Sequence, residues 1–426
     1  MVEVETAFLL FASIIFIGYF GLIFFKKTKI SEILVLMLIG LIVGPILGFV
    51  GPAEIGLFEG FLPYFASFAL MIILFEGGMQ LNFFKTLKCL PGAFLFTIIV
   101  FIITLGFVSI SWFIFTGDFL QGLLFGAIIG GTSSAVIIPL VNNTSAKEET
   151  KSLLGIESAL TDALCVIVAV AIAEIIIALN GGVGAGLSLS SVGTSILAAF
   201  SIAAVVGLVL GLVWVNLLSF FEKKPYEYLL TLAVLLFLYS VVQFFGGNGA
   251  IAALVFGIVL GNSEDLTNML RFTPRKIEGN IKSFQMEVSF LVRTFFFVYL
   301  GLLFKIGFLS DYVIVLSSIL IIILVIISRW IGTKLIIKFN KDFKEDYLFL
   351  TTLCARGLAA ASLISFPIIV ALYPTVIFDK MVAIVFLIIF ISNIATTIGV
   401  FISEKNKSDS MKLGAPNTQK IISGIN

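Results

Sequence analysis

The sequence contains no histidine and few charged residues, which make up 12% of its 426 positions. Soluble domains carry about 25% charged residues, so this composition excludes an ordinary soluble protein and indicates a membrane protein. Because histidine is the usual group that titrates near neutral pH, any proton chemistry must be carried by carboxylates. Cys89, Cys165 and Cys354 lie far apart without the spacing of metal ligands, which favours packing residues over a metal site.

Other functional classes are excluded by what else is missing. A net charge of +1 gives no reason to expect nucleic acid or an acidic partner. We find no nucleotide-binding loop that could drive a pump, no soluble domain, and no metal pair or serine–base arrangement typical of an intramembrane enzyme. We therefore expect neither an enzyme nor a bound cofactor.

Long apolar segments dominate what is present, since 60% of the residues are hydrophobic. A helix needs about 20 mostly apolar residues to cross the hydrocarbon core. We predict an all-α integral membrane protein with a single transporter domain over residues 1–403 and a disordered cytoplasmic tail over 404–426. The thirteen predicted spans are 4–25, 33–50, 61–79, 92–116, 119–141, 154–179, 192–221, 226–245, 246–261, 286–304, 311–337, 346–371 and 376–403.

The basic residues outside the spans fall almost entirely on one side. They follow the odd-numbered spans, and the other side receives only Lys305 and Lys380. Because Lys and Arg favour the cytoplasmic side, we expect an N-terminus outside the cell membrane and a cytoplasmic C-terminus. Representative positions are Lys26, Lys85, Lys147, Lys223, Arg275, Lys338 and Lys405.

Glycine, proline and hydroxyl residues interrupt two of the spans. Span 5 contains Gly130-Gly-Thr-Ser-Ser-Ala135, and span 12 contains Ala355-Arg-Gly-Leu-Ala-Ala-Ala-Ser362. The two lie seven spans apart, so they cross the membrane in opposite directions and predict an inverted-topology repeat. Interrupted helices at matching places in two halves typically mark a transporter's site. For the glycine-rich stretches of spans 2 and 9 we favour close helix packing instead.

Ionisable groups inside spans are costly, so they are functional candidates. Counting 1.5 Å per residue from the cytoplasmic boundary places Asp162 about 16 Å deep, near the midplane, with Ser133 and Arg356 at nearly the same level. Glu157 and Arg329 lie about 9 and 13 Å deep, so we expect them to meet as a buried ion pair.

Side-chain faces on span 6 separate this ion pair from the candidate site. Ser158 and Asp162 are four residues apart and share one stripe of the helix, and Glu157 and Thr161 share the neighbouring stripe.

For two further charged residues, Glu76 and Arg293, the sequence leaves more than one location open. Glu76 lines either a cytoplasmic funnel or the site itself. Arg293 is expected to pair with Glu287 or to reach the headgroup region.

A carboxylate without a basic partner, in partly dry surroundings, can hold either a proton or a weakly hydrated cation. Small hard cations prefer oxygen ligands, and Asp162, the Ser158 hydroxyl and freed carbonyls around Thr132 could supply them. Competition for one such site, opened alternately to each face of the membrane, is sufficient for antiport.

Five short motifs follow one another along residues 33 to 400: Leu74-Phe-Glu-Gly-Gly78, Glu157-Ser158-Ala-Leu-Thr-Asp162, Gly257-Ile-Val-Leu-Gly-Asn262, Arg329-Trp-Ile-Gly332 and Ala355-Arg-Gly357. In order, spacing and helix position they resemble the monovalent cation:proton antiporter superfamily, especially its NhaP/NHE-like Na⁺/H⁺ antiporters. The resemblance implies thirteen helices in the NhaA/NhaP-like fold, with two broken helices that cross near the midplane. It also implies a homodimer, in which a mobile core (about 92–180 and 311–403) works against a dimerisation panel (about 4–79 and 192–304).

The resemblance also implies roles for individual residues. Asp162 is the expected carrier of cation and proton. The expected ligands of the transported Na⁺ beside it are Ser158, the chain at Thr132, and Glu76. The expected supporting residues are Thr161, Ser133 and Arg356 in or beside the breaks, and Glu157 with Arg329 as a structural ion pair. Two positions depart from the family pattern, since relatives commonly have Asn at the position of Thr161 and Asp at that of Ser133.

The leading hypothesis is exchange of Na⁺ (or Li⁺) for H⁺ by alternating access. One cation per proton is expected because Asp162 is the one well-supported carrier carboxylate. K⁺/H⁺ exchange is the alternative within transport. A cation channel would need a continuous polar path, and a transport-dead sensor would carry a larger soluble output domain. The sequence has one short polar cluster between dry segments and no such domain.

Overall fold

Helices form most of the described chain, which comprises residues 4–28, 30–48, 52–80, 91–179, 189–221, 227–269 and 279–414 of a computed structural model. Inside a bilayer no water pairs with backbone N–H and C=O groups, so long apolar segments fold as helices that satisfy these groups internally. Within those ranges there is no strand, and the predicted all-α membrane architecture is confirmed.

We number the helices in chain order. They are α1 (Val4–Thr28), α2 (Glu32–Leu41), α3 (Pro52–Gln80), α4 (Pro91–Thr116), α5 (Phe119–Ile129), α6 (Ser134–Asn142), α7 (Glu148–Leu179), α8 (Leu189–Phe221), α9 (Glu227–Phe244), α10 (Gly249–Gly261), α11 (Ser263–Met269), α12 (Gly279–Leu303), α13 (Tyr312–Phe339), α14 (Tyr347–Thr352), α15 (Leu358–Ile364), α16 (Pro367–Val370) and α17 (Thr375–Gly414).

Seven segments of the described chain are long and apolar enough to cross a membrane, and shorter apolar helices such as α2 and α10 accompany them. Most predicted spans fall on one helix, spans 5 and 12 fall on consecutive helices, and span 2 covers α2 and a π-helical turn, Ile42–Ile46, that continues it. Several helices begin at a side chain that accepts a hydrogen bond from the first turn: Asp118 for α5, Asn248 for α10 and Asp311 for α13.

Both predicted interruptions are present. Residues 130–133 separate α5 from α6, and residues 353–357 separate α14 from α15. The two connections touch, because the Ser133 N–H donates to the Ala355 carbonyl at 2.9 Å. This crossing brings together one end each of α5, α6, α14 and α15.

Glycines bring two pairs of helices into close contact. A methyl group on Gly257 or Gly261 of α10 would collide with the backbone of Phe75 or Met79 in α3. Gly40 of α2 lies equally close to the α12 backbone. The packing interpretation of the glycines in spans 2 and 9 is therefore confirmed.

The chain end departs from expectation. Helix α17 continues to Gly414, so the expected disordered tail does not begin at residue 404. The helix is held at this end because Lys407 Nζ donates to the Ser145 carbonyl at 2.7 Å and to Asp346 Oδ1 at 2.8 Å. These contacts tie α17 to the loops that precede α7 and α14. The remaining tail lies outside the described ranges.

Candidate functional site

Asp162 lies on α7 opposite the break in span 5. Its Oδ2 accepts hydrogen bonds from the Ser134 hydroxyl at 2.6 Å and from the Ser134 N–H at 3.2 Å. Ser134 is the first residue of α6, so the carboxylate is placed at a helix N-terminus, where the backbone dipole favours negative charge. Sequence reasoning named the adjacent Ser133 and missed Ser134. Whether the hydroxyl of Ser133 or that of Ser134 faces α7 depends on the residue at which α6 begins.

A cavity of about 260 Å³ adjoins this carboxylate. Its walls come from α3, α6, α7, α12 and α15. A water molecule takes up about 30 Å³ in the liquid, so the cavity has room for a cation with part of its hydration shell. The polar and charged side chains that line it are Glu76, Gln80, Ser133, Ser134, Asp162, Ser289 and Arg293.

The expected ion pair forms beside this site. Arg329 Nη1 lies 2.9 Å from Glu157 Oε1, and Nη2 lies 3.3 Å from Oε2. Both side chains are fully buried, and Arg329 Nε also donates to the Leu350 carbonyl at 3.1 Å. Paired two-point contacts of this kind are the strongest geometry for Arg and a carboxylate. Both oxygens of the Glu157 carboxylate therefore accept hydrogen bonds from other residues of the protein.

Thr132 and Thr161 join the break in span 5 to α7. Thr161 Oγ1 accepts a hydrogen bond from the Thr132 N–H at 3.1 Å and lies 3.2 Å from the Thr132 hydroxyl. The Thr132 hydroxyl also donates to Glu157 Oε1 at 3.0 Å. Thr161 thus satisfies a backbone group that the break leaves free. The Thr132 side chain faces the ion pair, not the cavity beside Asp162.

Ser158 was expected to face the same site as Asp162, and its contact is different. Its hydroxyl donates to the Gly155 carbonyl at 3.0 Å, and Ser158 does not line the cavity. A serine in a helix commonly bonds back to the preceding turn. The hydroxyl that contacts the Asp162 carboxylate in this structure is therefore that of Ser134 and not that of Ser158.

Arg356 lies fully buried in the break of span 12. Its Nη1 donates to the Cys354 carbonyl at 3.2 Å, close to the C-terminal end of α14, where a helix dipole favours a cation. Two polar residues of α17 hold its backbone, because the Arg356 N–H donates to Ser392 Oγ at 3.0 Å and the Arg356 carbonyl accepts from Asn393 Nδ2 at 2.8 Å. Sequence reasoning missed this pair, although two adjacent polar residues within an apolar span could have drawn attention to it.

Glu76 is half-buried in the cavity wall, and Gln80 Nε2 donates to its Oε1 at 3.1 Å. Asp162 lines the same cavity. This place in the cavity is common to both expectations for Glu76, the site and a cytoplasmic funnel, and its role stays a prediction. Arg293 lines the same cavity, whereas the sequence predicted a pair with Glu287 or a position in the headgroup region.

Comparison with known proteins gives a consistent result. The sequence profile described as "Sodium/hydrogen exchanger, transmembrane" matches residues 11–403. The chain is 35% identical over 237 residues to the K(+)/H(+) antiporter NhaP2 of Shewanella oneidensis, covering 53% of this chain and 39% of that protein. It is 26% identical over 368 residues to the Na(+)/H(+) antiporter 1 of Methanocaldococcus jannaschii, covering 82% of each.

The fold also has a solved counterpart. The structure of the sodium proton antiporter MjNhaP1 from Methanocaldococcus jannaschii at pH 8 superposes with a TM-score of 0.75, at 23% identity, over 95% of this chain and 99% of that one. The match to the NhaP2 relative spans well under two thirds of that relative's length. The matched family and fold are those of transporters, not of enzymes.

Proposed function

The chain belongs to the sodium/hydrogen exchanger family, and on that premise we propose that it exchanges one monovalent cation for one proton by alternating access. Asp162 is the carrier in this proposal. The observation that carries it is the contrast between two carboxylates of α7, Glu157, which pairs with Arg329, and Asp162. Within the described residues, no ion pair includes Asp162, and its carboxylate lies against a cavity large enough for a hydrated ion.

Competition at one carboxylate gives the exchange. When Asp162 is ionised, a cation can take oxygen ligands from Asp162, the Ser134 hydroxyl and, on the far side of the cavity, Glu76. When Asp162 is protonated, the site has lost the charge that holds the cation. If the carrier crosses with a cation bound and with Asp162 protonated, but not with an empty ionised site, each cation carried one way is balanced by a proton carried the other way.

We assign the cavity to the cytoplasmic side. It reaches Gln80 at the end of α3 and Met286 near the start of α12, both exposed, and basic residues cluster in the sequence beside these positions. With the C-terminus in the cytoplasm, the geometry corresponds to an inward-facing state. The second state opens the same carboxylate to the outside.

We also infer a homodimer with a mobile core and a dimerisation panel. Support comes from packing, because buried residues of α3, α8, α9 and α10 form a hydrophobic cluster distinct from the larger one around the site, to which α3 and α10 also contribute. Membrane helices that share such a cluster can move as one body against the others.

Na⁺ or Li⁺ is the leading cation, and K⁺ is the second candidate. K⁺ is favoured by the name of the NhaP2 relative, and Na⁺ by the name of the Methanocaldococcus jannaschii relative. Cavity volume alone does not separate these ions.

Purified protein in vesicles tests both points. Proton flux should respond to an imposed gradient of Na⁺, Li⁺ or K⁺, and the order of the three rates identifies the cation. At fixed ion gradients, an imposed membrane potential should leave the rate unchanged, since one charge crosses each way. A rate that follows the potential would contradict the one-for-one exchange, and absence of flux with all three cations would contradict antiport itself.

A further inference from the structure

Helix α12 turns one face toward the cavity beside Asp162. Met286, Ser289 and Arg293 line it, and residues three and four apart lie on the same face of a helix. The guanidinium of an arginine stays charged at any physiological pH. A permanent positive charge therefore lies along the route that a cation takes to Asp162.

A second, smaller cavity of about 90 Å³ adjoins the first. Arg293 lines both cavities, and Glu32 lines the second. Glu32 Oε1 is buried and has no hydrogen-bond partner among the described residues, and Glu32 and Arg293 share the walls of this smaller cavity. Arg293 therefore belongs to both walls, with Glu32 in the smaller cavity and with Glu76 and Asp162 in the larger one.

The charges in the two cavities have a simple consequence. Without Arg293, they would hold three carboxylates (Glu32, Glu76 and Asp162) and no cationic side chain. Clefts lined by one sign of charge concentrate counter-ions, and groups of carboxylates are the ligands that divalent cations prefer. Such a cleft would attract Mg²⁺ or Ca²⁺ and would hold a monovalent cation too firmly for release.

We propose that Arg293 is a specificity-determining residue, whose fixed positive charge restricts the cavity beside Asp162 to a single monovalent cation and excludes divalent cations. The inference rests on the proposed function and goes beyond it by identifying what sets the charge class of the substrate. Arg293 does not bind the transported ion. It acts by offsetting the carboxylates around the ion's path.

The test is the variant Arg293→Gln in reconstituted vesicles, with Arg293→Lys to restore the charge. In Arg293→Gln the KM for the transported monovalent cation should fall about threefold or more, because the local cation concentration rises. Millimolar Mg²⁺ or Ca²⁺ should then inhibit the flux. Arg293→Lys should resemble the wild type in both respects, and Glu32→Gln should raise KM, because the positive charge then lacks its counter-charge.

Lys380→Gln is the matched control for loss of one positive charge. Lys380 lies 3.5 Å from Asp311, and its side chain is half exposed, so neither KM nor inhibition by divalent cations should change. An Arg293→Gln protein with unchanged KM and no sensitivity to Mg²⁺ or Ca²⁺ would overturn the proposal. A lower maximal rate and melting temperature at unchanged KM would assign Arg293 a structural role instead and would overturn it equally.

A binding measurement separates this inference from the proposed function. In detergent, Mg²⁺ should raise the melting temperature of Arg293→Gln and leave that of the wild type and Arg293→Lys unchanged. If the wild type shows no exchange in vesicles, the proposed function fails, and the melting experiment still decides whether Arg293 excludes divalent cations. Equal responses to Mg²⁺ in all three proteins would overturn the inference.

Discussion

Glu157 and Asp162 lie on the same helix, and both are almost completely buried, with relative exposures of 0% and 7%. Glu157 has a two-point contact with Arg329 and a third hydrogen bond from Thr132. Among the described residues Asp162 has one hydrogen-bonding partner, Ser134, and the carboxylate lines a cavity. The two carboxylates differ in their partners far more than in their burial.

This difference separates structural charge from transporting charge. A buried charge with a full set of partners is held in place, and losing one partner leaves the other uncompensated. A buried charge with free oxygen lone pairs that face a cavity can exchange one ion for another. Substitutions at the two positions should therefore affect different properties, either stability or transport.

The largest expected effect is on transport, in Asp162→Asn. The amide has nearly the same shape and can still accept from the Ser134 hydroxyl, but it can neither ionise nor bind a proton as a carrier does. Cation-driven proton flux in vesicles should fall to the level of protein-free vesicles, with melting temperature and oligomeric state unchanged. Measurable exchange by this variant would remove Asp162 from the carrier role.

Stability should respond next, through Glu157 and Arg329. Each single change, Glu157→Gln or Arg329→Gln, leaves one charge buried without a partner and should cost about 3–5 kcal/mol. The double variant should recover much of this loss, because two amides can hydrogen-bond each other. Melting curves of the four proteins in detergent measure the coupling, and vesicle assays should show little change in KM. Additive losses, or a large change in KM at normal stability, would contradict the structural role.

A smaller effect should distinguish two serines near Asp162. Ser134→Ala removes a hydrogen bond to a charged group, which is worth about 1.5–3 kcal/mol, so the apparent cation affinity should fall about tenfold or more. Ser158→Ala makes the same chemical change at a residue whose hydroxyl, within the described ranges, bonds to its own helix alone, so its affinity should match the wild type. KM values from vesicle flux compare the cation affinities of the two variants with that of the wild type. The reverse result would restore Ser158 as the ligand.

The smallest effect concerns a third buried carboxylate, Asp346, in the loop before α14. Burial alone would raise its pKa, but hydrogen bonds from Lys407 Nζ and the Lys147 N–H outweigh burial and hold the pKa below its ordinary value. A carboxyl group with a lowered pKa stabilises the folded state above its ordinary pKa of about 3.9. That stability is lost as the pH falls toward the folded-state pKa.

We therefore expect the melting temperature to fall between about pH 5 and pH 3, and to fall less in Lys407→Met, whose Asp346 has lost a partner. Because the Lys407 side chain is partly exposed, solvent screens its charge, and we expect this pair to contribute about 1 kcal/mol or less. Melting curves of both proteins across this pH range measure the difference. Identical pH dependence in the two proteins would show that Lys407 does not affect the titration of Asp346.

Much of this arrangement could be predicted from the residues alone. The positions of the spans follow from apolar length, and the depth of Glu157 and Arg329 follows from the constant rise of a helix. Both rules hold wherever the backbone is helical, which is why the ion pair was predicted at the right place. The two interruptions were predicted from the glycine, proline and hydroxyl residues within spans 5 and 12.

The same rules do not apply inside an interruption. Between residues 130 and 133 the backbone is not helical, so spacing no longer states which hydroxyl faces α7, and Ser134 was missed. The presence of Arg293 in the wall of the cavity was missed for another reason. Its place in the cavity depends on how α12 packs beside α3 and α15, and one helix's own sequence does not contain that contact.

The most direct test of the account is the release of protons when a cation binds. Purified protein in a weak buffer with a pH indicator should release protons on addition of saturating Na⁺ or K⁺, whichever is transported. Asp162→Asn should release none, and the Glu157→Gln, Arg329→Gln double variant should release as many as the wild type. Proton release that persists in Asp162→Asn, or disappears with the Glu157–Arg329 pair, would contradict the assignment of Asp162 as the exchanging carboxylate.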